Sequence, residues 1–414
     1  MRSSWSPLLL LTAVLAVAVS ALVVVAAVGR WSTAPQEAFV AEQRALLAHE
    51  FPAEATVPPS VLDDVTSPPV AAFTTGLATP LVHIVAVPLS AAVRAELREV
   101  VAGKRAPWAV SSPTHDARTA ARADVAAALD VVRARTAGPP LTATVLDGVT
   151  DLGLVLAVEI VGSRSRGREH DAEVMCARGM RLGELIANTG DLVAETAGAD
   201  LQRQLRPVCR EQLGVGGSAP ANIAALRELP GLRRPLFVSA RASGLALIES
   251  TLATIAQPRA PSTSLRHHLA QQLTLRLGSR EALPLLDAAL QDIAEGRTPS
   301  STSSTSSSFG ADRLLAPWHD ALQSARIGRA ARELERRLMI GRLALEQFHR
   351  DNGHWPADVA MLVAAQQGDA AALAAELRRP DTDEPFTLTQ HASWAILEVP
   401  SEGLAIRAMP STEP

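Results

Sequence analysis

Tyrosine is absent from this chain, lysine occurs once, at Lys104, and cysteine twice, at Cys176 and Cys209. Aromatic residues make up only 3%, so the core cannot rest on large ring surfaces. Leucine, valine and alanine must supply the burial, and small side chains let helices approach closely, which points to an α-rich fold. No sign of charge dominates either. A net charge of -4 across 414 residues provides no basic field for nucleic acid, which is excluded as an expected partner. The catalytic motifs are missing as well: there is no HExxH, no GxSxG and no Ser-x-x-Lys, and Lys104 lacks the upstream glycine and following hydroxyl of a phosphate loop. Neither cysteine has a CxxC or cysteine–histidine spacing. The chain is therefore not expected to be an enzyme or to hold a cofactor or metal.

What is present begins with Pro7–Val28, 22 residues without a charge. At helical rise this run spans ~33 Å, enough to cross a bilayer core. It reads as a single-pass signal-anchor. The competing reading is a cleaved signal peptide, since Ala18-Val19-Ser20 precedes Ala21 in small-x-small form. Cleavage there would strand Leu22–Val28 as an apolar stub, and the run exceeds the usual signal core, so the anchor is preferred. The simplest orientation puts residues 31–414 in a bacterial periplasm; scarce lysine with abundant arginine and alanine reads as a G+C-rich bacterial genome. In that oxidising compartment Cys176 and Cys209 would pair, although two unpaired buried thiols fit the sequence equally well.

The organisation expected is a mainly α fold: an N-terminal transmembrane anchor at 1–30, a helix and Pro-rich linker over 31–80, an α-helical domain over 81–297, a Ser/Thr-rich linker at 298–310, and a long helix with a small α+β module over 311–414. Helical periodicity recurs over Gln36–His49, Leu89–Gly103, Asp116–Ala137, Leu141–Val161, Glu169–Asn188, Asp191–Leu213, Leu236–Ile255, Leu265–Leu277 and Glu281–Glu295. Proline and glycine clusters separate many of them, as helix breakers should.

After the linker, Ile327, Ala331, Leu334, Leu338, Gly341, Leu345 and Phe348 recur at spacings of four and three, forming an apolar seam along one helix. Such a seam either docks a partner or packs on its own domain. For a run this short, internal packing is the stronger expectation, with Ile327, Leu334, Leu338, Leu345 and Phe348 as the candidate contact residues. Seven arginines between Arg326 and Arg350, interleaved with Glu333, Glu335 and Glu346, read as a solvated face.

That helix runs into Leu345-Glu-Gln-Phe-His-Arg-Asp-Asn-Gly-His-Trp-Pro356. A left-handed glycine at 353 would end the helix, Trp355 would pack back on it, and Pro356 would open the next. With Asp351, Gly353, Trp355 and Pro356 in this order, the segment resembles the helix-ending turn of type II secretion major pseudopilins and related pilin-like proteins. Pro380-Asp-Thr-Asp-Glu-Pro-Phe386 is similar to the loop preceding their small C-terminal sheet, and the resemblance implies short strands over Thr387–Gln390, Trp394–Val399 and Leu404–Ala408. Some pseudopilins bind calcium in this loop, where Asp381, Asp383 and Glu384 would be the carboxylates; three acids in a surface loop are more simply solvated, and no metal is expected. The match covers about residues 338–400 and leaves out the N-terminus, since Pro7–Val28 lacks the glutamate and the cleaved glycine of a pseudopilin. The layout as a whole is similar to that of many uncharacterised bacterial envelope proteins.

The reading that follows is a membrane-anchored, non-enzymatic envelope protein that binds other envelope proteins, with a link to secretion or pilus-like machinery implied by the resemblance. The alternative is a membrane-tethered hydrolase acting on envelope material. It would require His267 or His268 to meet a carboxylate and a serine. A third reading is a purely structural part of such machinery. His349, His354 and His391 complete the histidines of interest, and the first two stand five apart, wrong for two ligands on one helical face.

Overall fold

A computed structural model describes residues 33–48, 88–131, 143–213, 219–233, 235–258, 264–299, 310–366 and 368–409, with isolated positions before residue 90. The anchor expected at 7–28, apart from the isolated positions 16, 19 and 20, the Pro-rich linker over 51–80 and most of the Ser/Thr-rich linker at 298–310 lie outside the described residues. The described chain is largely helical, with a small C-terminal α+β module. It divides into two compact units, each built from separated stretches of sequence: one from residues 1–50 and 236–320, the other from 51–235 and 321–414.

In the first unit, helix α1 covers residues 33–48. Gln36 of α1 is fully buried, and its Nε2 donates to the Arg276 carbonyl at 3.0 Å and to Ser279 Oγ at 2.9 Å. Those acceptors belong to a helix running unbroken over Leu265–Ala294. Two helices were expected there, with a break at Gly278-Ser279-Arg280. The break does not occur because Ser279 is buried and satisfied within the helix, its hydroxyl donating to the Arg276 carbonyl at 3.0 Å. This helix packs on Leu236–Ala256 through Gly244, which faces Leu286. Among the described residues, Leu236–Ala256 is the one helix long and apolar enough to cross a membrane, judged by length and composition alone.

The second unit holds helices α2 (Ala91–Val101), α3 (Ser112–Val131), α4 (Val149–Arg164), α5 (Glu169–Ala187), α6 (Leu192–Gln212) and α7 (Ala219–Glu228). The helix expected over Leu141–Val161 is broken at Asp147-Gly148 into a single turn, Ala143–Leu146, and α4. Helix α4 is apolar on every side, which is why it sits at the centre, with α2, α3, α5 and α6 packed around it. Its two acids are neutralised by neighbours. Asp151 takes Arg94 at 2.7 and 2.9 Å and the Leu89 N–H at 3.1 Å, while Glu159 takes Arg118 at 2.9 Å and Arg122 at 3.2 Å. Cys176 of α5 and Cys209 of α6 form a disulfide, with their Cα atoms 5.5 Å apart.

The long helix, which we call α8, spans Ala311–Asn352, 42 residues. It ends in the turn read from sequence: Gly353 is left-handed at φ 74°, its N–H donates to the His349 carbonyl at 2.8 Å, and Trp355 is buried. Only glycine takes that conformation without strain. Pro356 does not open the next helix, as had been expected. Helix α9 begins three residues later, at Val359–Ala365, because Asp358 caps it by accepting the Met361 N–H at 2.7 Å. Helix α10 (Ala370–Glu376) and an antiparallel sheet of β1 (Thr387–Gln390), β2 (Ala395–Val399) and β3 (Leu404–Ala408), in that order, complete the module. Its strands lie within one residue of their expected limits. Alternate residues of β2, namely Ala395, Leu397 and Val399, are buried in the same core as α4 and the inner face of α8.

Candidate functional site

The seam of α8 turns inward. Leu334, Leu338, Leu345 and Phe348 are buried in the core of the second unit, and Gly341 lies against Leu377 and Leu397. Ile327, 60% exposed, and Ala331 are left outside. From Leu334 onward the seam is therefore a packing surface within this unit, and one isoleucine with one alanine does not make a docking face.

The arginines of α8 are the larger departure. They were read as a solvated face, yet Arg332, Arg336 and Arg342 are buried, as are Glu335 and Glu346. They belong to a line of alternating charges. Glu195 of α6 meets Arg332 at 2.8 Å, and Arg332 approaches Glu184 of α5 at 3.6 Å. Glu184 meets Arg233 at 2.9 Å, and Arg233 meets Glu333 at 2.7 Å. Glu333 then meets Arg336 at 2.7 Å, and Arg336 reaches Glu376 of α10 at 3.3 Å. Glu376 and Asp369 both hold Arg227 of α7, at 3.0 and 2.7 Å. Arg329 joins at Glu195, and Arg337 at Glu333. A separate branch sets Glu335 between Arg206 and Arg210.

Burial and neighbours pull these groups in opposite directions. Burial alone would raise the carboxyl of Glu333, but Arg336, Arg337 and Arg233 bring it down to about 2. Burial likewise opposes ionisation of Glu184, and Arg332 and Arg233 overcome it, leaving its pKa below the usual carboxylate range. Glu346 goes the other way: burial raises it, and Arg342 at 2.7 Å offsets this only in part. Burial lowers Arg329 to about 10, with the adjacent charge of Arg332 acting in the same sense. Chemically the line is a set of mutually neutralised ions, in which each carboxylate is committed to at least one guanidinium.

The remaining candidates do not converge. The ring of His268 lies 3.0 Å from Gln272, and the backbone N–H of His267 donates to Ser264. Neither ring joins a serine and a carboxylate among the described residues. His349 packs against Trp355, His354 against Phe348, and His391 stacks on Trp394. In the acidic loop Arg379 sits among the carboxylates, meeting Asp381 at 2.5 Å and Glu402 at 2.8 Å, while Asp383 meets Arg378 at 2.9 Å and Glu384 accepts from Ser401 at 2.7 Å. Guanidinium groups thus occupy the surroundings of the three acids singled out for calcium. No group of three or more potential metal ligands occurs among the described residues. Comparison with known families, characterised proteins and solved structures finds no match to this chain.

The sequence reading as a solvated face missed the charged line, although part of it has a local signal. Glu333 with Arg336 and Arg337, and Arg342 with Glu346, follow the three- and four-residue spacings of a helix face. Glu184, Glu195 and Arg233 stand at least 95 residues from their α8 partners, and no local pattern points to them.

Proposed function

We propose that this chain is a membrane-anchored, non-enzymatic bacterial envelope protein whose helical extracytoplasmic domain binds other envelope proteins, with a pseudopilin-like C-terminal module linking it to type II secretion or pilus-like machinery. The observation that carries the reading is the disulfide between Cys176 and Cys209, the chain's two cysteines, because such bonds persist in oxidising compartments. The uncharged run 7–28 supports membrane attachment, and Trp5 and Trp31 flank it as interfacial anchors do at the two faces of a bilayer. The alternating charges support a scaffold role, since they commit ionisable side chains to internal pairing and tie helix α10 of the C-terminal module to helix α7.

The test has two readouts on full-length protein in cells. Cells are quenched in acid and the protein is unfolded in denaturant, so that the two buried cysteines are accessible, and thiols are labelled with a mass-tagged maleimide with and without prior reduction; both should label only after reduction, and free thiols at both positions would remove the extracytoplasmic placement. Crosslinking followed by capture from the membrane fraction should bring down secretion or pilus components. Capture of the protein alone would remove the link to that machinery and leave only the anchor.

A further inference from the structure

Trp108 is the most exposed large apolar side chain among the described residues, at 75%. It stands in the short loop between α2 and α3. The loop is held in shape: the Ala109 N–H donates to the Ala106 carbonyl at 3.0 Å, Arg105 Nη1 donates to the Ala109 carbonyl at 3.2 Å, and buried Arg118 donates to the Pro107 carbonyl at 2.7 Å. The indole is thus presented by a fixed turn and stays largely exposed. The turn between α4 and α5 lies beside this loop. A methyl group added at Gly162 would stand 3.6 Å from the Arg166 guanidinium and 4.0 Å from Pro107 Cβ. Arg166 and Lys104 are exposed, and neither meets an acid among the described residues. Other nearby cations are already engaged, Arg105 by Glu99 at 2.9 Å and Arg168 by Asp171 at 3.8 Å.

We propose that Trp108, with Lys104 and Arg166, docks on an anionic lipid surface. A lone indole on a rigid turn has only small apolar company at the surface of its own loop, Ala102, Ala106, Ala109 and Val110, too little to form the centre of a protein interface, which buries a cluster of large anchors. The interfacial layer of a bilayer accepts a single tryptophan without a matching pocket, because the ring is apolar at one end and carries an N–H at the other. Cations on the same loop and on the adjoining turn add attraction to acidic headgroups. The proposal rests on the membrane anchoring argued above, which holds the domain close to such a surface.

The test uses the full-length protein reconstituted in vesicles with brominated acyl chains, made of phosphatidylcholine alone or mixed with phosphatidylglycerol. Subtracting the fluorescence of Trp108→Phe isolates Trp108, and subtracting that of a Trp5→Phe/Trp31→Phe variant isolates the anchor. Trp108 should be quenched in the phosphatidylglycerol vesicles and not in phosphatidylcholine alone. Lys104→Ala and Arg166→Ala should each lower the ratio of docked to undocked protein about fivefold, the effect of one cation at an acidic surface. Raising salt to about 1 M, where screening acts within ~3 Å, should release the loop. Unquenched Trp108 with a quenched anchor overturns the proposal and leaves the anchoring intact. Equal quenching in both vesicle types overturns the recognition of acidic lipid. An unquenched anchor overturns the membrane attachment and the proposal together.

Discussion

Both carboxylate oxygens of Glu195 are held by arginines of the long helix, Arg329 on one and Arg332 on the other, and its side chain is almost fully buried. Removing one member of such a cluster leaves an uncompensated charge in a poorly solvated place, so the loss exceeds the net worth of the pair. Glu195→Gln should destabilise the fold by about 3–5 kcal/mol in urea unfolding. Glu333 makes the same point through pH. Its carboxyl titrates at about 2 in the folded protein, below its ordinary value of 4.5. The unfolded chain therefore binds the proton first on acidification, and the stabilisation is complete above pH ~4.5 and falls away toward pH ~2. Chemical denaturation across that window should show a decline on the order of 3 kcal/mol from this group. Glu333→Gln should flatten the decline. At this scale the sequence showed which residues are charged and which lie one helical turn apart. It did not show that these charges are buried, because burial depends on helices more than a hundred positions away.

Helices α5 and α6 pack along their length through glycines. A methyl at Gly198 would come 2.8 Å from the Ala187 backbone nitrogen and closer still to the Gly183 carbonyl, and backbone atoms cannot rotate aside. At Gly341 the nearest obstacles are the tips of Leu397 and Leu377, the latter at 2.7 Å, and side-chain tips can yield. Alanine gains about 1 kcal/mol over glycine in a helix. At Gly198 the overpacking, about 1–3 kcal/mol or more, should exceed that gain. Gly198→Ala should therefore lower the urea midpoint clearly, and Gly341→Ala by much less. Element boundaries divide in the same way. The Gly353 turn was legible because its signals are local, a left-handed glycine and a tryptophan that packs back on the helix, while the strands were expected from the resemblance of the flanking segments. The unbroken helix Leu265–Ala294 and the break at Gly148 were not, since a buried serine hydroxyl bonded to α1 preserves one helix and packing decides where the other restarts.

For the molecule as a whole, the disulfide closes a loop between residues 33 positions apart. By chain entropy it contributes about 3–4 kcal/mol through its constraint on the unfolded chain. Cys176→Ser with Cys209→Ser should lower stability by that amount, and a reducing agent should do the same to the unaltered protein and nothing to the variant. The α-rich class, the long final helix and the candidate membrane run at 7–28 came from the sequence alone, because composition and periodicity are local properties of the chain, and the three short strands came from a resemblance carried by local motifs. Tertiary structure alone decided that the two cysteines meet, that the seam of α8 is interior except at Ile327 and Ala331, that several of its arginines are internal counter-ions, and that each compact unit gathers distant stretches of chain. Each of those outcomes depends on which faces of remote helices come together, and burial of apolar surface, having no direction of its own, leaves that choice to the packing of the whole.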